Sequence, residues 1–530
     1  MRRSAFTLPL LTILLGCVPG SGAGSEDGLH MVPPGKADNY YSSVAAEFEV
    51  RGDIPVQMTA EEFADEAIRA DKVTRRLTAV GLYLTGYVTE KFRGIDENGD
   101  GEITEDEVFF HNEGWGGFQA MVRSYTVEPG DVIESSADGA ATYVARFTLD
   151  MAGPPDLMQR IPRAEGIEAP EGELAFQLQM PAGESVDPAN VPRTTFRRFD
   201  PRNYAGELET RTLFAKAQPQ VGNAFPAYAG FVTDGLYDIT LFFGHDYNVS
   251  RSDLSEARSA FSSLQQLGFR APVEQFEDLV RDSGPFVRTA FANGTEITVE
   301  VRIFHSDMFE DARREQHDLA LSEIVARDVF FYNGHAGPYF GFYLDEARAA
   351  TVNYWEFRDA PFAADRQQLV IAQGCQTYSN YADMLYANPA KNEGNLDVIT
   401  TVNYSYGEGT MELLENLIRF DDDGNHQPAD FYRIIADLNE NWLNSYHDVF
   451  YGVMGIDGNS QLHSYARPQA AGEECEVATD CGDPSGNVCV ADPEGVKRCG
   501  ARTLSAAACP EGTHFVELAS GRTIEGGACF

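Results

Sequence analysis

Between residues 235 and 450, apolar runs of strand character alternate with segments whose apolar residues recur at helical spacing. The runs 237–243, 297–303, 328–332, 369–372 and 397–403 read as strands. Within 252–267, Leu254, Ala257, Phe261 and Leu264 share one helical face and Gly268 supplies a stop; 311–326 and 410–420 read as further amphipathic helices. The alternation predicts a three-layer α/β domain over 235–470 with a mostly parallel sheet. Upstream, 39–124 reads as a helical region: Thr59-Ala60-Glu61-Glu62 forms a capping box, and a long helix follows over 72–92. The interval 125–234 reads as a small β-rich region, with alternating segments at 141–147 and 174–178 around a Pro/Glu-rich stretch at 153–172. No repeat with a period of about 20–50 residues is visible.

Composition narrows the function. The 530 residues carry 82 Asp+Glu against 40 Lys+Arg, a net charge of -42. So acidic a chain repels phosphate backbones and anionic headgroups, which argues against nucleic acid as a partner. With 43% hydrophobic and 11% aromatic residues it is far too apolar to be disordered. After the first residues no apolar run approaches the roughly 18 that a spanning helix needs. Met1-Arg2-Arg3 followed by an apolar stretch over 4–15 is an export signal. Its ending, Leu14-Leu15-Gly16-Cys17, resembles the bacterial lipobox, which implies lipidation of Cys17 and cleavage after residue 16. An ordinary secretory signal with an incidental Cys17 is the alternative. The Gly/Ser/Pro-rich stretch 17–38 suits a flexible tether. The expected location is the bacterial cell envelope, on the outer membrane, with the lipid as the sole membrane contact.

Of the eight cysteines, Cys475, Cys481, Cys489, Cys499, Cys509 and Cys529 crowd the tail. That density predicts a disulfide module over 471–530, which an exported chain can oxidise and which is the expected contact for an unidentified protein partner. The six permit 15 pairings, and nothing in the spacing chooses among them. A zinc site is disfavoured, since the tail has no CxxC and its only histidine is His514. Cys375 is left alone between Cys17 and the tail. It is either a small buried hydrophobe, or a nucleophile or metal ligand.

Cys375 follows the strand at 369–372 in Gly374-Cys375-Gln376-Thr377, and His335 follows the strand at 328–332 in Gly334-His335-Ala336-Gly337. In an open parallel sheet such strand ends border the ligand crevice. Taken alone, His335 also suits a turn; His245, in Gly244-His245-Asp246, is placed to reach the same crevice. The order strand–His-Gly, then strand–Cys about forty residues later, resembles the caspase-like cysteine peptidases (clan CD: caspases, legumains, gingipains, clostripain and the CHAT domains), with Ala336 inserted before the second Gly. The resemblance covers 235–450. It implies Cys375 as nucleophile and His335 as general acid and base through an acyl-enzyme, without dependence on a third triad member. It implies an oxyanion hole from Ala336 or Gly337 together with Cys375. It also implies a substrate groove framed by 401–406, including Thr401, Asn403, Tyr404 and Tyr406, with a peptide or protein as substrate.

Residues 96–107 fit the twelve-residue EF-hand loop. Asp96, Asn98 and Asp100 offer side-chain oxygens, Gly101 permits the turn, Glu102 offers its carbonyl, Thr104 acts directly or through water, and Glu107 closes the shell with two oxygens. One Ca2+ is the expected cofactor; a plain acidic turn is the alternative. The segment 421–425 starts similarly but places His426 and Tyr432 at loop positions 6 and 12, and reads as a polar turn. The fold class expected is therefore multidomain: a helical EF-hand region, a small β-rich region, a caspase-like α/β domain and a disulfide-rich tail. Two functions compete: a calcium-binding, lipid-anchored cysteine endopeptidase, and a non-enzymatic calcium-binding envelope scaffold with an inactive domain.

Overall fold

The computed structural model describes residues 30–31 and 40–456, apart from 91–120 and short gaps at 128–131, 138–139, 188–198, 220–221, 247–249, 310–311, 338–340, 346–349 and 447, together with parts of 464–529. The N-terminal half builds one seven-stranded sheet from β1 (His30–Met31), β2 (Ala46–Gln57), β3 (Met121–Thr126), β4 (Val132–Ala137), β5 (Ala140–Gly153), β6 (Leu174–Pro181) and β7 (Leu208–Ala217). Its order is β1-β3-β5-β2-β7-β6, with β4 also paired to β5. The long β2/β5 ladder, from Ala46↔Gly153 to Gln57↔Thr142, is antiparallel. Phe48, Val50, Ile54 and Val56 of β2 and Tyr143, Ala145, Phe147, Leu149 and Met151 of β5 bury one face by simple alternation. Across that face lies α2 (Glu66–Glu90), which buries Val73, Leu77, Val80, Leu84 and Val88 at helical spacing. The short α1 (Ala60–Ala64) precedes it and carries the Thr59/Glu62 capping box. Another short turn, α3 (Leu157–Arg160), follows β5.

The second sheet follows α4 (Tyr228–Phe231). It uses β8 (Leu236–Phe243), β9 (Phe286–Ala292), β10 (Thr295–His305), β11 (Val329–Asn333), β14 (Gln368–Gln373), β15 (Leu396–Thr401) and β16 (Tyr451–Met454), while β12 (Phe342–Tyr343) and β13 (Thr351–Val352) pair separately. Its order is β16-β15-β14-β11-β8-β10-β9. The inner pairs are parallel, and β9 and β16 close the edges antiparallel. Every residue of β11, β14 and β15 is buried, because both faces are covered. On one face α5 (Ser252–Gln266), α8 (Thr410–Leu417) and α9 (Phe431–Glu440) pack Phe261, Leu413 and Ile434 against Ile239, Phe331 and Ile371. On the other, α6 (Arg313–Ala326) and α7 (Tyr381–Ala387) join Phe330, Tyr332 and Val370 in a core continuous with Phe48, Leu77 and Leu149 of the first sheet. A last short helix, α10 (Trp442–Tyr446), leads into β16. In the tail, β17 (Asn487–Ala491), β18 (Lys497–Thr503), β19 (Phe515–Glu517) and β20 (Gly527–Cys529) form an antiparallel sheet, and Cys475 is disulfide-bonded to Cys489.

The expected fold class is corrected. The chain is a mixed, β-rich fold in which eleven of the sixteen described strand pairings are antiparallel, and it does not divide into a helical EF-hand region and a mostly parallel caspase-like α/β domain. Residues 39–124, read as helical, contribute β2 and β3 to the first sheet. The physical reason is that β2 finds its partners about a hundred residues away in β5 and further still in β7, whereas a helix declares itself within a few turns.

The two halves also meet through a buried polar cluster. Arg123 on β3 is 2% exposed and lies 3.6 Å from Glu47, 3.3 Å from Asp150 and 3.9 Å from Asp383 of α7. Tyr378 donates to Glu47 at 2.8 Å, and Ser379 donates to the Val122 carbonyl at 3.1 Å. Burial pushes the Glu47 carboxyl up to about 7 and that of Asp383 up to about 6, more than Arg123 pulls them down.

Candidate active site

Strands β8, β11 and β14 lie side by side and end level, with Asn333 opposite both Phe243 and Gln373. Beyond the ends, Gly244 N–H donates to the Asn333 carbonyl at 2.8 Å and Gly334 N–H to the Gln373 carbonyl at 3.1 Å. The ladder thus continues into the segments that carry Asp246, His335 and Cys375. Two glycines permit the close approach. A Cβ on Gly334 would lie 2.6 Å from Tyr332 Oη, and one on Gly374 would lie 2.4 Å from Ala336 Cβ and 3.1 Å from the Gly334 carbonyl. Gly374→Ala is therefore expected to spread the histidine and cysteine segments apart. It should lower thermal stability by about 1–3 kcal/mol, the usual cost of overpacking, and remove reactivity at the site; calorimetry beside a thiol-labelling assay checks both.

The chain turns sharply after Cys375. Gln376 has φ +57° and Asn380 φ +75°, both left-handed, and the turn is held by its neighbours. Gln376 N–H donates to the Asn403 carbonyl at 2.9 Å, and Thr377 Oγ1 donates to the Ala372 carbonyl at 2.7 Å while accepting from Thr401 N–H at 3.0 Å. Thr401 in turn donates its hydroxyl to the Gly374 carbonyl. On the histidine side, Tyr332 Oη lies 2.7 Å from the carbonyls of both His335 and Tyr343. The loop over the site is pinned by Asn333 Nδ2 to the Gly407 carbonyl at 2.8 Å and by Gln373 Nε2 to the Glu408 carbonyl at 2.5 Å.

These segments enclose a crevice of about 30 Å³ bordered by Asp246, Glu256, His335, Cys375, Ser405 and Tyr406. His335 is 7% exposed, and its Nε2 lies 3.7 Å from Oδ1 of the buried Asp246. Glu256 on α5 is pushed up to about 7 by burial and by the neighbouring Glu408, against a hydrogen bond from Thr410. Thr410 also accepts from Asn333 Nδ2 at 3.0 Å. Cys375 is 3% exposed, with its sulfur 3.7 Å from the Ser405 carbonyl oxygen. It is disulfide-bonded, which corrects its reading as a solitary thiol. Distance along the chain says nothing about which sulfurs meet in space.

Sequence reasoning named Cys375 and His335, and the fold brings them to one crevice. Of the residues expected to frame a substrate groove, Tyr406 borders it, while Thr401, Asn403 and Tyr404 are buried and do not. Ala336 is also buried, and Gly337 N–H points to Tyr381 Oη at 3.4 Å, whose hydroxyl lies 3.2 Å from the Gly337 carbonyl. His245 contacts Ser306 Oγ at 3.0 Å and does not border the crevice. The segment 421–425 is a turn in which Asp421 accepts from the backbone of Asp423 and Asn425. Asp246 and Glu256 went unnamed as site residues. A signal for Asp246 existed, since it stands three residues past a strand end in the same way as His335 stands two past another.

Asp96, Asn98, Asp100, Glu102, Thr104 and Glu107 lie outside the described residues, as do Cys17, Cys481 and Cys509. Among the described residues there is no group of three or more metal-ligating side chains, and no helix is long and apolar enough to cross a membrane. Cys499 is also disulfide-bonded; Cys529 belongs to β20. Comparison with protein-family models, curated proteins and solved structures yields no match.

Proposed function

We propose that this chain is a thiol-dependent endopeptidase, active once the Cys375 disulfide is reduced, that is tethered to the bacterial envelope through Cys17 and stabilised by Ca2+ at 96–107. The observation that carries the reading is the juxtaposition of Cys375, His335 and Asp246 at three neighbouring strand ends around one crevice. A dithiol reductant first opens the disulfide: its sulfurs become a disulfide and two protein thiols are released. His335 takes the proton of the Cys375 thiol, and the resulting thiolate attacks the scissile carbonyl and forms a C–S bond. As the C–N bond breaks, His335 gives a proton to the leaving amine. His335 next takes a proton from water, whose oxygen displaces the sulfur and releases the acid product. A cavity of about 30 Å³ holds little more than a water molecule, so the peptide lies across its mouth.

The test is alkylation by a small iodoacetamide probe before and after mild reduction, followed by digestion of a peptide library. Labelling of Cys375 only after reduction, with cleavage lost on alkylation, supports the reading. Reduced protein that labels but cleaves no peptide overturns it. The disulfide and the 3% exposure of Cys375 favour a second reading, a non-enzymatic calcium-binding envelope scaffold that meets a partner through its cysteine-rich tail. For the calcium loop, isothermal titration of the whole protein should give one binding event that Asp96→Ala abolishes; binding retained in the variant would place the ion elsewhere.

A further inference from the structure

Asp246 is 3% exposed, yet it has an environment built for a charge. Its Oδ2 accepts from the backbone N–H of Ser252 at 3.0 Å and from the Ser252 hydroxyl at 2.7 Å. Ser252 is the first residue of the fifteen-residue helix α5, whose N-terminal end carries partial positive charge. Two donors and a helix end thus hold Oδ2, while Oδ1 lies 3.7 Å from His335 Nε2. The start of α5 is itself fixed: Arg251, at φ +47°, is bridged to Asp253 at 2.8 Å and to Asp307 at 2.6 Å.

We infer that Asp246 is the positioning residue for His335, holding its Nε2–H toward the carboxylate and stabilising the imidazolium that forms when the ring takes up a second proton. The inference rests on the peptidase reading of the site and extends it. The resemblance carried by the histidine and cysteine segments implies no dependence on a third member, so this assignment goes beyond it. With Nε2 held by Asp246, proton exchange with sulfur, water and leaving group falls to Nδ1. A carboxylate beside an imidazole fixes both tautomer and ring orientation, and losing it costs turnover rather than substrate binding. The other titratable groups bordering the crevice are Asp253 and Glu256 from α5 and, once reduced, the Cys375 thiol after β14; Arg251 is bridged to Asp253.

The experiment uses the full-length reduced protein and the near-isosteric Asp246→Asn, with Asp246→Glu and Ser252→Ala beside it. For Asp246→Asn, kcat should fall by about 10²–10⁴-fold with KM changed less than about threefold. Asp246→Glu should recover part of kcat, and Ser252→Ala should lose about tenfold. Independently of turnover, the ring nitrogen resonances of His335, assigned in NMR spectra by comparison with His335→Gln, should report the Nε2–H tautomer in the wild type and a mixture of both tautomers in Asp246→Asn. A wild type that cleaves peptides while Asp246→Asn keeps its kcat and the wild-type His335 tautomer overturns the inference and leaves the peptidase reading standing. A wild type without cleavage removes the peptidase reading, and a His335 tautomer unchanged in Asp246→Asn then removes the positioning role as well. If Asp246→Asn fails to fold, Ser252→Ala and the His335 tautomer of wild type against Asp246→Glu decide the question on the same criteria.

Discussion

Treatment with a small dithiol should convert the protein from an inactive to an active peptidase, and Cys375→Ala should remove at least about 10³-fold of the turnover gained. The size follows from the chemistry. A disulfide sulfur has no lone thiolate to offer, so the oxidised form contributes only what peptide binding and backbone donors supply. Without the nucleophile, no acyl-enzyme forms, and His335 acting on water alone cannot replace it. Turnover of a fluorogenic peptide against reductant concentration, with free thiols counted in parallel, is the measurement. Activity should appear with the thiol of Cys375 and not with reduction of Cys475–Cys489, which packs in a separate cluster with Cys499 in the tail. Equal activity before and after reduction, or in Cys375→Ala, would exclude Cys375 as the nucleophile.

The second large effect concerns stability. Arg123→Met should cost about 3–5 kcal/mol at pH 8, because it leaves Glu47 and Asp383 buried without their shared cation. The loss should be smaller at pH 5.5. Both carboxyls have folded-state pKa values above their unfolded ones, about 7 for Glu47 and about 6 for Asp383. The folded protein therefore binds their protons more tightly, and stability falls as pH rises through the window from the ordinary carboxylate range up to those values. At pH 5.5, below both folded-state values, the groups are mostly neutral and need the guanidinium less. Glu47→Gln should accordingly flatten the difference in Tm between pH 5.5 and pH 8 relative to the parent. Chemical denaturation at both pH values, compared across the two variants, reads the effect directly. Since Tyr378 and Asp383 follow Cys375 on one continuous segment, the cluster also braces the turn that presents the sulfur.

Some of this was legible locally. The inner strands of the second sheet are buried on both faces, so they need apolar side chains at nearly every position. The runs at 237–243 and 369–372 accordingly lie within β8 and β14. Helix α5 buries Ala257, Phe261 and Leu264, three of the four residues that mark its apolar face. The capping box at Thr59 is a four-residue matter and sits where its spacing puts it. Strand β2 carries the same apolar/polar alternation that marks 141–147, with Glu47, Glu49, Arg51 and Asp53 between its apolar positions, but Gly52 and Pro55 interrupt it and its pairing with the distant β5 and β7 is not a local property. Burial of Glu47 and Arg123 runs against every composition rule, and only their mutual approach permits it.

The order of residues alone placed a histidine and a cysteine after successive apolar strands, and set the acidic charge. These are properties of short windows, where side-chain spacing and local backbone preference suffice. Three things waited for the folded chain: the antiparallel first sheet, Asp246 beside His335, and the disulfide on Cys375. Each depends on groups that approach through space, and the entropy of closing long loops is repaid only when many such contacts form together.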